Sequence, residues 1–376
     1  MSEHLSCQAY LEKRCASCTA LANPQKLAHH KFLTLQNSLQ LSFPEAEYQE
    51  ARTLINPFNS RAKAKLQVGG TVSNPEIGLD KKIGKKFAIS PLLDCPLHIS
   101  GINFILKNIL NLITKYSLTP YSINSRSGEL KGIVILKTNT GILVRFIARS
   151  TLLKNAFNQA ATELILLAPE VKAVSLNLQP IPHQIVEGDE EHLLLGDSFL
   201  RQDYADFFIH LPPLSFVQVT PEIADALYKT GYLWLSRKSD RKVLDLFCGA
   251  GGFLMSVAPL CKEGKGIELR EDSVRCANQA ASLQGFKQIS FSQGDLNNLS
   301  IIDKFDTVIV NPPRRGLGKE LIQSLKQIKP KQILYSSCNP ETLIADIGML
   351  GYSPKKFKAF DMFPLTEHLE VLALLE

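Results

Sequence analysis

The sequence predicts an α/β protein with three parts, and three observations support this prediction. From about residue 206 onward, apolar runs alternate with helix-like stretches, which is typical of a parallel sheet. Between residues 50 and 200, strand-like runs separated by turns indicate a sheet-rich, mixed α+β domain. Near the N-terminus, three cysteines lie close together. We therefore expect a cysteine-bearing segment at 1–100, interleaved with an α+β domain at 40–205, and an α/β domain at 206–376.

The composition is that of a globular protein without a membrane-spanning segment. Hydrophobic residues make up 45% and charged residues 21% of the 376 residues, which suits two or three domains with apolar cores. No apolar run approaches the length of a membrane-spanning helix. The first residues have neither a basic region nor an apolar signal core, so we expect a cytoplasmic protein.

Positive charge is concentrated in one block of the chain. Residues 51–150 contain 15 Lys and Arg against 4 Asp and Glu, whereas the rest of the chain sums to −5. Such a block favours a nucleic-acid partner over a merely solvated basic face. The basic residues expected in this domain are Arg61, Lys63, Lys65, Arg126, Lys131, Arg145 and Arg149, and we expect Lys63, Lys65 and Arg145 to contact nucleic-acid phosphates.

The elements of the α+β domain are predicted from short-range patterns. Residues 62–68 alternate between apolar and polar side chains and precede two glycines, so they are predicted to form a strand. Residues 132–137 and 142–147 are predicted to form a hairpin around a turn that contains Gly141. A further strand is predicted at 174–178, and a helix at 101–115.

The α/β domain is predicted to begin with a helix that Thr220 and Pro221 open. The first buried strand, 242–246, leads through a glycine-rich turn into a second helix. Further strands are expected at 264–268, 289–291, 305–310, 332–335, 357–360 and 369–375.

The glycine-rich turn and its acidic neighbours predict a nucleotide-type ligand site. The glycines of 249–252 let the backbone approach a ligand, and Glu268, at the end of the next strand, is placed to bind ribose hydroxyls. A dinucleotide site requires a third glycine, but Leu254 takes that position. Asp245 before the turn and Asp295 after the third strand match the pattern of S-adenosylmethionine sites instead.

Four cysteines form a candidate metal site. Cys7, Cys15 and Cys18 are closely spaced, and Cys95 follows much later, next to Pro96. Four thiolates complete a tetrahedral sulfur shell, which suits zinc or an iron–sulfur cluster. The spacing lacks the two C-x2-C pairs of a zinc ribbon, and the residues alone leave the choice between zinc and a cluster open.

Cys338 is the candidate nucleophile. It follows the apolar run 332–335 and precedes a helix start at Pro340. Ligands of α/β proteins bind at such strand ends, and the dipole of the following helix favours a thiolate. Pro313 is followed directly by Arg314 and not by a cysteine, so Cys338 is the thiol placed to attack. Burial in the core, the simpler explanation for an isolated cysteine, is expected for Cys248, Cys261 and Cys276.

Six motifs together resemble those of S-adenosylmethionine-dependent RNA 5-methyluridine methyltransferases. They are Ser215–Val219, Asp245–Gly252, Gly266–Glu268, Asn311–Gly316, Ser336–Pro340 and Phe363–Glu370. The resemblance covers nearly the whole chain, including the four N-terminal cysteines. Asn311 stands where the family often has aspartate. This asparagine, in a chain that begins at the cysteine segment without an OB-type RNA-binding module, resembles the subgroup that methylates uridine 747 of 23S rRNA.

The resemblance implies a fold and two cofactors. It implies a class I (Rossmann-like) methyltransferase domain at 206–376, with S-adenosyl-L-methionine as methyl donor. It implies that the four cysteines hold a [4Fe-4S] cluster, and that the α+β domain binds RNA. The partner expected is a stem-loop of 23S rRNA with a flipped uridine, because the reacting base must leave its stack.

The resemblance also implies roles for individual residues. Cys338 adds to C6 of uracil as the nucleophile, and Glu370 removes the C5 proton as the base. The residues implied in cofactor binding are Gln218, Phe247, Glu268 and Asn311, with Asp295 as a further candidate.

Two alternatives remain open from the sequence. One is the same chemistry on another uridine of rRNA or tRNA. The other is an iron–sulfur RNA-binding protein without catalysis, which the presence of both Cys338 and Glu370 disfavours. Nothing in the sequence indicates an obligate protein partner or a membrane.

Overall fold

The chain folds into two units, each assembled from two stretches of sequence. The computed structural model describes residues 6–19, 21, 24–83, 86–182, 187–296 and 303–376. The first unit comprises Met1–Ala22 and Pro57–Gln202, and the second comprises Asn23–Asn56 and Asp203–Glu376. None of the described helices is long and apolar enough to cross a membrane.

The helices and strands are numbered along the chain. The helices are α1 (Gln8–Leu11), α2 (Pro24–Ser42), α3 (Ile102–Lys115), α4 (Lys154–Leu167), α5 (Pro221–Leu235), α6 (Gly252–Val257), α7 (Glu271–Leu283), α8 (Lys319–Ile328) and α9 (Pro340–Leu350). The strands are β1 (Glu47–Arg52), β2 (Lys63–Gly70), β3 (Pro75–Ile83), β4 (Lys86–Pro91), β5 (Leu130–Lys137), β6 (Ile142–Ala148), β7 (Val171–Leu178), β8 (Glu190–Gly196), β9 (Leu200–Asp203), β10 (Phe208–Leu211), β11 (Arg241–Leu246), β12 (Cys261–Glu268), β13 (Ile289–Gln293), β14 (Thr307–Val310), β15 (Gln332–Ser337), β16 (Pro354–Phe360) and β17 (Glu370–Leu375).

The first unit is built on a seven-stranded sheet in the order β4-β3-β2-β5-β6-β7-β8. The predicted hairpin is confirmed, since β5 and β6 pair antiparallel with Ile135 opposite Val144. Every residue of β6 is buried, as expected of a strand inside the sheet. Helix α3 buries an apolar stripe with helical spacing, which includes Ile102, Ile105, Ile109 and Leu112.

The expectation that Arg145 contacts RNA phosphates is wrong, because its side chain is fully buried. Its guanidinium donates to both carboxylate oxygens of Glu191, at 3.1 and 2.7 Å, and pairs with Glu187. Lys65 also pairs with Glu187, at 2.9 Å. Lys63 is half-buried, and this burial lowers its pKa.

Two more cations of the basic block are engaged within the unit. Lys131 is buried and donates to the carbonyl oxygens of Gln179, at 2.9 Å, and Ile181, at 2.7 Å. Arg149 pairs with Glu129 at 2.6 Å. The charge count misled because the acidic stretch 151–200 folds against the basic one and neutralises part of it.

The second unit is built on an eight-stranded sheet in the order β1-β16-β17-β15-β14-β11-β12-β13. All neighbouring pairs in the run from β15 to β13 are parallel, and β17 runs antiparallel to both β15 and β16. The connections leave β11 in one direction through β12 and β13, and in the other through β14 and β15. Ligands of open α/β sheets bind at this reversal, at the carboxyl ends of the strands.

Residues 23–56 join this second unit through long-range pairing. Strand β1 pairs in parallel with β16, with Tyr48 opposite Phe357 and their rings stacked at 5.5 Å. Helix α2 precedes β1 and buries Leu35 and Leu39 in the same core. Helix α2 was not predicted from the sequence, because the segment shows little amphipathic contrast and its contacts lie some 300 residues away along the chain.

Candidate active site

Three parallel strands of the second unit end at one edge of the sheet, and each end carries residues of the predicted site. Phe247 follows β11, Asn311 follows β14 and Cys338 follows β15. Strand β11 pairs with β14, and β14 pairs with β15. Since neighbouring parallel strands present their carboxyl ends together, the glycine-rich turn and the thiol lie along the same edge.

The antiparallel strand β17 brings the predicted base to the predicted nucleophile. Ser337 of β15 pairs with Val371 of β17, so the register places Glu370 opposite Cys338. Glu370 is buried, and its Oε1 accepts a 2.5 Å hydrogen bond from the Ser336 hydroxyl. The Cys338 thiol and the Glu370 carboxyl, which are 32 residues apart in sequence, are therefore neighbours at the ends of two adjacent strands.

The environment moves the pKa of both groups upward. Burial raises the pKa of Glu370 to about 7, although the Ser336 hydrogen bond lowers it in part. Burial, and then the charge of Glu370, raises the pKa of the Cys338 thiol. Arg314 opposes this rise, because its nearby guanidinium favours the thiolate and so lowers the pKa of the thiol.

Arg314 is a site residue that was not among those predicted from the sequence. Its carbonyl oxygen accepts from Asn339 Nδ2 at 3.1 Å and from Thr342 Oγ1 at 3.4 Å, which ties the loop after β14 to the start of α9. Its position directly after Pro312 and Pro313, in the loop that follows a parallel strand, was the available signal.

The helix start predicted after Cys338 is confirmed. Asn339 caps α9 by accepting from the Glu341 backbone N–H at 3.2 Å, and Pro340 occupies the first turn. The positive end of this helix dipole lies beside the thiol, which favours its ionised form.

A pocket lies at this edge of the sheet, where the turn after β11 forms part of its wall. Its lining includes Phe247, Cys248, Gly249 and Ala250 from this turn, together with Asn311. Phe247 adopts φ +60°, a conformation that non-glycine residues seldom take, and such strain concentrates at functional sites.

The glycine at the start of α6 keeps the pocket open toward Tyr228. A Cβ atom at Gly252 would lie 2.5 Å from the Tyr228 hydroxyl oxygen, which is too close for a real contact. Tyr228 also lines the pocket, so the glycine permits a close approach of helix and ring.

Two buried polar atoms, one in the pocket lining and one in the residue after a lining residue, lack a hydrogen-bond partner within the described part of the chain. They are Gln218 Nε2 and Asp245 Oδ1. Gln218 follows Val217, and both Val217 and Asp245 line the pocket. Burial raises the pKa of Asp245 to about 8. An unpaired amide donor and an unpaired carboxyl oxygen fit a ligand with both acceptors and a cationic donor, as in the amino-acid part of S-adenosylmethionine.

The other two predicted cofactor residues lie at the ends of neighbouring strands. Glu268, the last residue of β12, accepts from the Gly249 N–H and the Arg270 N–H, both at 3.0 Å. It therefore braces the glycine-rich turn. Asp295 is exposed after β13 and is not among the described residues that line the pocket.

The cysteines of the first unit are near one another but do not form a metal site as arranged. Within the described residues, no group of three or more His, Cys, Asp or Glu side chains is placed to hold a metal ion. Burial raises the pKa of Cys18 to about 12, and the thiols of Cys95, Cys15 and Cys7 add to this rise. The thiol donor set therefore suits a metal by its chemistry, and the four thiols lie close enough to affect one another's ionisation.

Arg14 holds together the two segments that carry these cysteines. Its guanidinium donates to the carbonyl oxygen of Pro91 at 2.8 Å and to Asp94 Oδ2 at 3.1 Å. Its own carbonyl oxygen accepts from the Ser90 hydroxyl at 2.5 Å. Cys15 directly follows Arg14 and Cys95 directly follows Asp94, so these bonds bring distant parts of the sequence together.

Known proteins match this chain over most of its length. A family model described as tRNA (Uracil-5-)-methyltransferase matches residues 154–376. The 23S rRNA (uracil(747)-C(5))-methyltransferase RlmC of Shewanella baltica (strain OS195) is 35% identical over 384 residues, or 98% of this chain and 96% of that protein. The protein of the same name from Haemophilus influenzae (strain 86-028NP) is 35% identical over 394 residues, or 99% and 98%.

A solved structure shares the fold. The crystal structure of Pyrococcus abyssi tRNA (uracil-54, C5)-methyltransferase in complex with S-adenosyl-L-homocysteine matches with a TM-score of 0.78 and 24% identity, covering 96% of this chain and 85% of that chain. The predicted α/β methyltransferase fold is confirmed by this match. The sequence matches show that the chain belongs to the tRNA (uracil-5-)-methyltransferase family.

Proposed function

We propose that this protein transfers a methyl group from S-adenosyl-L-methionine to C5 of uridine 747 in 23S rRNA. The names of its 35% identical relatives support this substrate. The observation that carries the proposed chemistry is the pairing of a thiol with a buried carboxyl: Cys338 lies opposite Glu370, at the same edge of the sheet as the glycine-rich turn that lines the pocket.

The reaction needs a nucleophile because C5 of uracil is itself a poor one. The Cys338 thiolate adds to C6, and the displaced electron pair forms an enolate that makes C5 nucleophilic. S-adenosyl-L-methionine supplies the methyl group to C5 and leaves as S-adenosyl-L-homocysteine. Glu370 then removes the C5 proton, and the C6–S bond breaks to release Cys338 and restore the C5–C6 double bond.

The two reacting groups are tuned by their neighbours. Arg314 and the start of α9 favour the thiolate that attacks C6. The pKa of about 7 suits Glu370 as a base, because a base works best when its pKa lies near the working pH.

We assign the methyl donor to the pocket that the glycine-rich turn lines. When the methyl donor is bound, Asp245 Oδ1 would accept from its ammonium group, and the Gln218 amide would donate to one of its acceptors. Glu268 would bind the ribose hydroxyls with the acceptor capacity that its two backbone bonds leave. The remaining predicted contacts are Phe247 and Asn311, which line the pocket, and Asp295, which lies outside the lining and would bind the adenine amine.

The first unit is proposed to contact the RNA stem-loop that carries the target. Exposed cations such as Lys81, Lys107 and Arg126 remain on this unit after the internal ion pairs are formed. The uridine leaves its stack and enters the site at Cys338, since a stacked base cannot be reached by a thiol.

A [4Fe-4S] cluster on Cys7, Cys15, Cys18 and Cys95 is a second part of the proposal. Four thiols that influence one another's ionisation, in segments joined by Arg14, support it. Thiolate ligands suit both a cluster and zinc, so the metal must be measured. Methyl transfer moves no electrons between cofactors, and a cluster here is expected to be structural.

The reaction is tested by tritium release from C5-labelled uridine in 23S rRNA fragments. We expect release that depends on S-adenosyl-L-methionine and disappears in Cys338→Ala. Mapping of 5-methyluridine in rRNA and tRNA from a deletion strain then locates the target. Methylation at another uridine would overturn the assignment to position 747, and absence of release from every RNA would overturn the activity.

The cluster is tested on protein purified without oxygen. We expect brown protein with visible absorbance that bleaches on reduction, and about four iron and four sulfide per chain, as a [4Fe-4S] cluster held by four cysteines requires. Cys18→Ser should lose the colour, whereas Cys276→Ser should keep it. Colourless protein with stoichiometric zinc would overturn the cluster.

A further inference from the structure

A basic groove lies at the opposite edge of the sheet of the second unit. It has a volume of about 710 Å³. Five of the cations that line it are Arg237, Lys238, Lys355, Lys356 and Lys358, and the cavity is called the basic groove below. Arg237 and Lys238 follow the end of α5, and the three lysines belong to the first residues of β16.

The basic groove is too far from the active site to hold the reacting nucleotide. Gln332, the first residue of β15, lines the groove, whereas Cys338 follows the last residue of the same strand. At about 3.3 Å per residue, the strand separates the two sites by roughly 20 Å. The groove therefore has no part in the methyl-transfer site itself, and a polyanion that reaches both must extend well beyond one nucleotide.

The charge of the groove is strongly unbalanced. Besides the five cations named above, its lining includes Arg241, and the carboxylates in the lining are Glu47 and Glu376. Arg241 is occupied by the protein, since it donates to the Leu235 carbonyl oxygen at 2.9 Å and the Thr307 hydroxyl at 2.9 Å.

Most of the groove cations have no carboxylate partner. Lys356 pairs with Glu47 at 3.4 Å, and a hydrogen bond from Gln49, followed by Lys356 and Arg237, lowers the pKa of that carboxyl. In the part of the chain that the structure describes, Arg237, Lys238, Lys355 and Lys358 form no ion pair within 4.0 Å. This differs from the first unit, where Arg145 and Lys65 are neutralised by glutamates.

The alternation of side chains along β16 places two groove lysines on its more exposed face. Strand alternation buries Phe357 and Ala359 and leaves Lys356 and Lys358 on the other face. Lys355 and Arg237 are exposed. The groove carries one exposed large apolar residue, Leu233, while Trp234 is buried and bonds Gln49 through its indole N–H at 3.2 Å.

We propose that the basic groove binds the phosphodiester backbone of the RNA substrate outside the target stem-loop. Clustered unpaired cations with little apolar surface fit a phosphate backbone, because protein–RNA contacts of this kind are charge-dominated. A protein partner would require an apolar patch at its centre, which the groove lacks. The inference rests on the proposed function in one respect, since it takes RNA as the partner.

The test compares a groove variant with a matched control on two RNAs. Arg237→Gln/Lys355→Gln/Lys358→Gln removes three groove charges, and Arg275→Gln/Lys287→Gln/Lys326→Gln removes three exposed charges elsewhere on the same unit. Binding is measured against salt concentration with a short stem-loop and with a long 23S rRNA fragment that contains it. Circular dichroism and thermal unfolding check that each variant is folded, and the three single substitutions are measured beside the triple.

We expect the groove variant to lower the salt slope for the long RNA by about 0.9 for each phosphate that it no longer neutralises. The short stem-loop should bind and become methylated as with the unchanged protein. An unchanged slope for the long RNA, or an equal decrease in the control variant, would overturn the inference. Methylation of the stem-loop is scored separately: its absence in the unchanged protein refutes the proposed function, while the salt slopes still decide the groove.

Discussion

The Ser336 hydroxyl donates a 2.5 Å hydrogen bond to Glu370 Oε1 inside the second unit. Ser336 is the next-to-last residue of β15 and Glu370 is the first residue of β17, so the bond crosses between the strand that carries the nucleophile and the strand that carries the base. The bond favours the ionised carboxyl and opposes the effect of burial on its pKa. Ser336 therefore acts on the reaction through Glu370, as a positioning residue.

Ser336→Ala should shift the acidic limb of the pH–rate profile to higher pH. Glu370 must be ionised to accept the C5 proton, so the rate of proton removal rises with pH through the Glu370 pKa of about 7. Without the hydrogen bond that pKa rises further. Ser337→Ala is the matched control, because the Ser337 hydroxyl bonds the backbone of Asn339 instead. A limb that stays in place in Ser336→Ala would contradict the assignment.

Glu370→Gln should abolish turnover yet stabilise the protein at alkaline pH. The pKa of Glu370 is about 7 in the folded state against 4.5 ordinarily. Its contribution to the free energy of unfolding is therefore present below about 4.5 and is lost as pH rises through about 7, a difference of about 3 kcal/mol. Denaturant unfolding at pH 5 and pH 8.5 measures this. Between pH 5 and pH 8.5, the free energy of unfolding should decrease less in Glu370→Gln than in the unchanged protein. An equal decrease in both proteins would contradict a raised pKa of Glu370.

Arg314→Gln should slow the reaction by raising the pKa of the thiol. The Arg314 guanidinium near Cys338 lowers the thiol pKa that burial raises. At a pH below that pKa, the thiolate fraction falls about tenfold for each unit of rise. The rate of alkylation of Cys338 by iodoacetamide, followed against pH, reports the change. Arg315→Gln serves as control. Identical alkylation profiles in both variants would exclude this role.

Lys31→Met should destabilise the protein and loosen the loop before the base. The Lys31 ammonium is buried and contacts Asp361 Oδ1 at 2.6 Å and the carbonyl oxygens of Thr366 and His368 at 3.1 Å. Removing one partner of a buried ion pair costs about 3–5 kcal/mol. Denaturant unfolding measures the cost, and hydrogen exchange at residues 361–369 detects the loosening.

A surface ion pair provides the comparison for Lys31. Lys242 pairs with Glu263 at 2.8 Å with both side chains about half exposed. Lys242→Met is expected to leave the unfolding free energy nearly unchanged, because exposed ion pairs contribute little. If Lys31→Met and Lys242→Met lower the free energy of unfolding equally, the buried ion pair does not stabilise the fold more than an exposed one.

Arg145→Met should cost stability and leave RNA binding intact. The substitution would remove the buried guanidinium that pairs with the partly buried carboxylates of Glu187 and Glu191, at a cost of about 3–5 kcal/mol. Burial raises the pKa of Glu187, but the stronger combined effect of Arg145, Lys65 and Lys63 lowers it to about 2. The stabilisation from Glu187 is thus present above its ordinary pKa and is lost as pH falls toward 2.

The Arg145→Met substitution should therefore destabilise the protein more at neutral pH than at pH 3. Unfolding measured at both values checks the sign. The salt slope of RNA binding should equal that of the unchanged protein, because the buried guanidinium reaches no phosphate. A shallower slope would restore Arg145 as an RNA-binding residue.

Local patterns identified most of the second unit in advance. The apolar runs at 242–246 and 332–335 became β11 and β15, and the Pro340 helix start became α9. Such elements are predictable because their apolar patterns and their capping residues are local features of the sequence. The same holds for the glycine-rich turn, whose backbone conformation at Gly249 and Gly251 few other residues adopt.

Charge pairing was not predictable in this way. A count of Lys and Arg over 51–150 treats each side chain as free, whereas Arg145 and Lys65 meet glutamates that lie more than 40 residues later. A local charge count also fails to detect the basic groove, because Arg237 and Lys355 are more than 100 residues apart in the sequence.

Sequence alone determined the family, the α/β fold, the candidate nucleophile and the candidate base, because each depends on residue type and local order. Tertiary structure decided that Cys338 and Glu370 face one another, that Arg314 reaches the thiol and that Arg145 is buried. These facts depend on strand register and on which side chains the fold brings within a few ångströms. A one-residue shift in the pairing of β15 with β17 would turn Glu370 to the other face of the sheet, so register decides whether the two reacting groups meet.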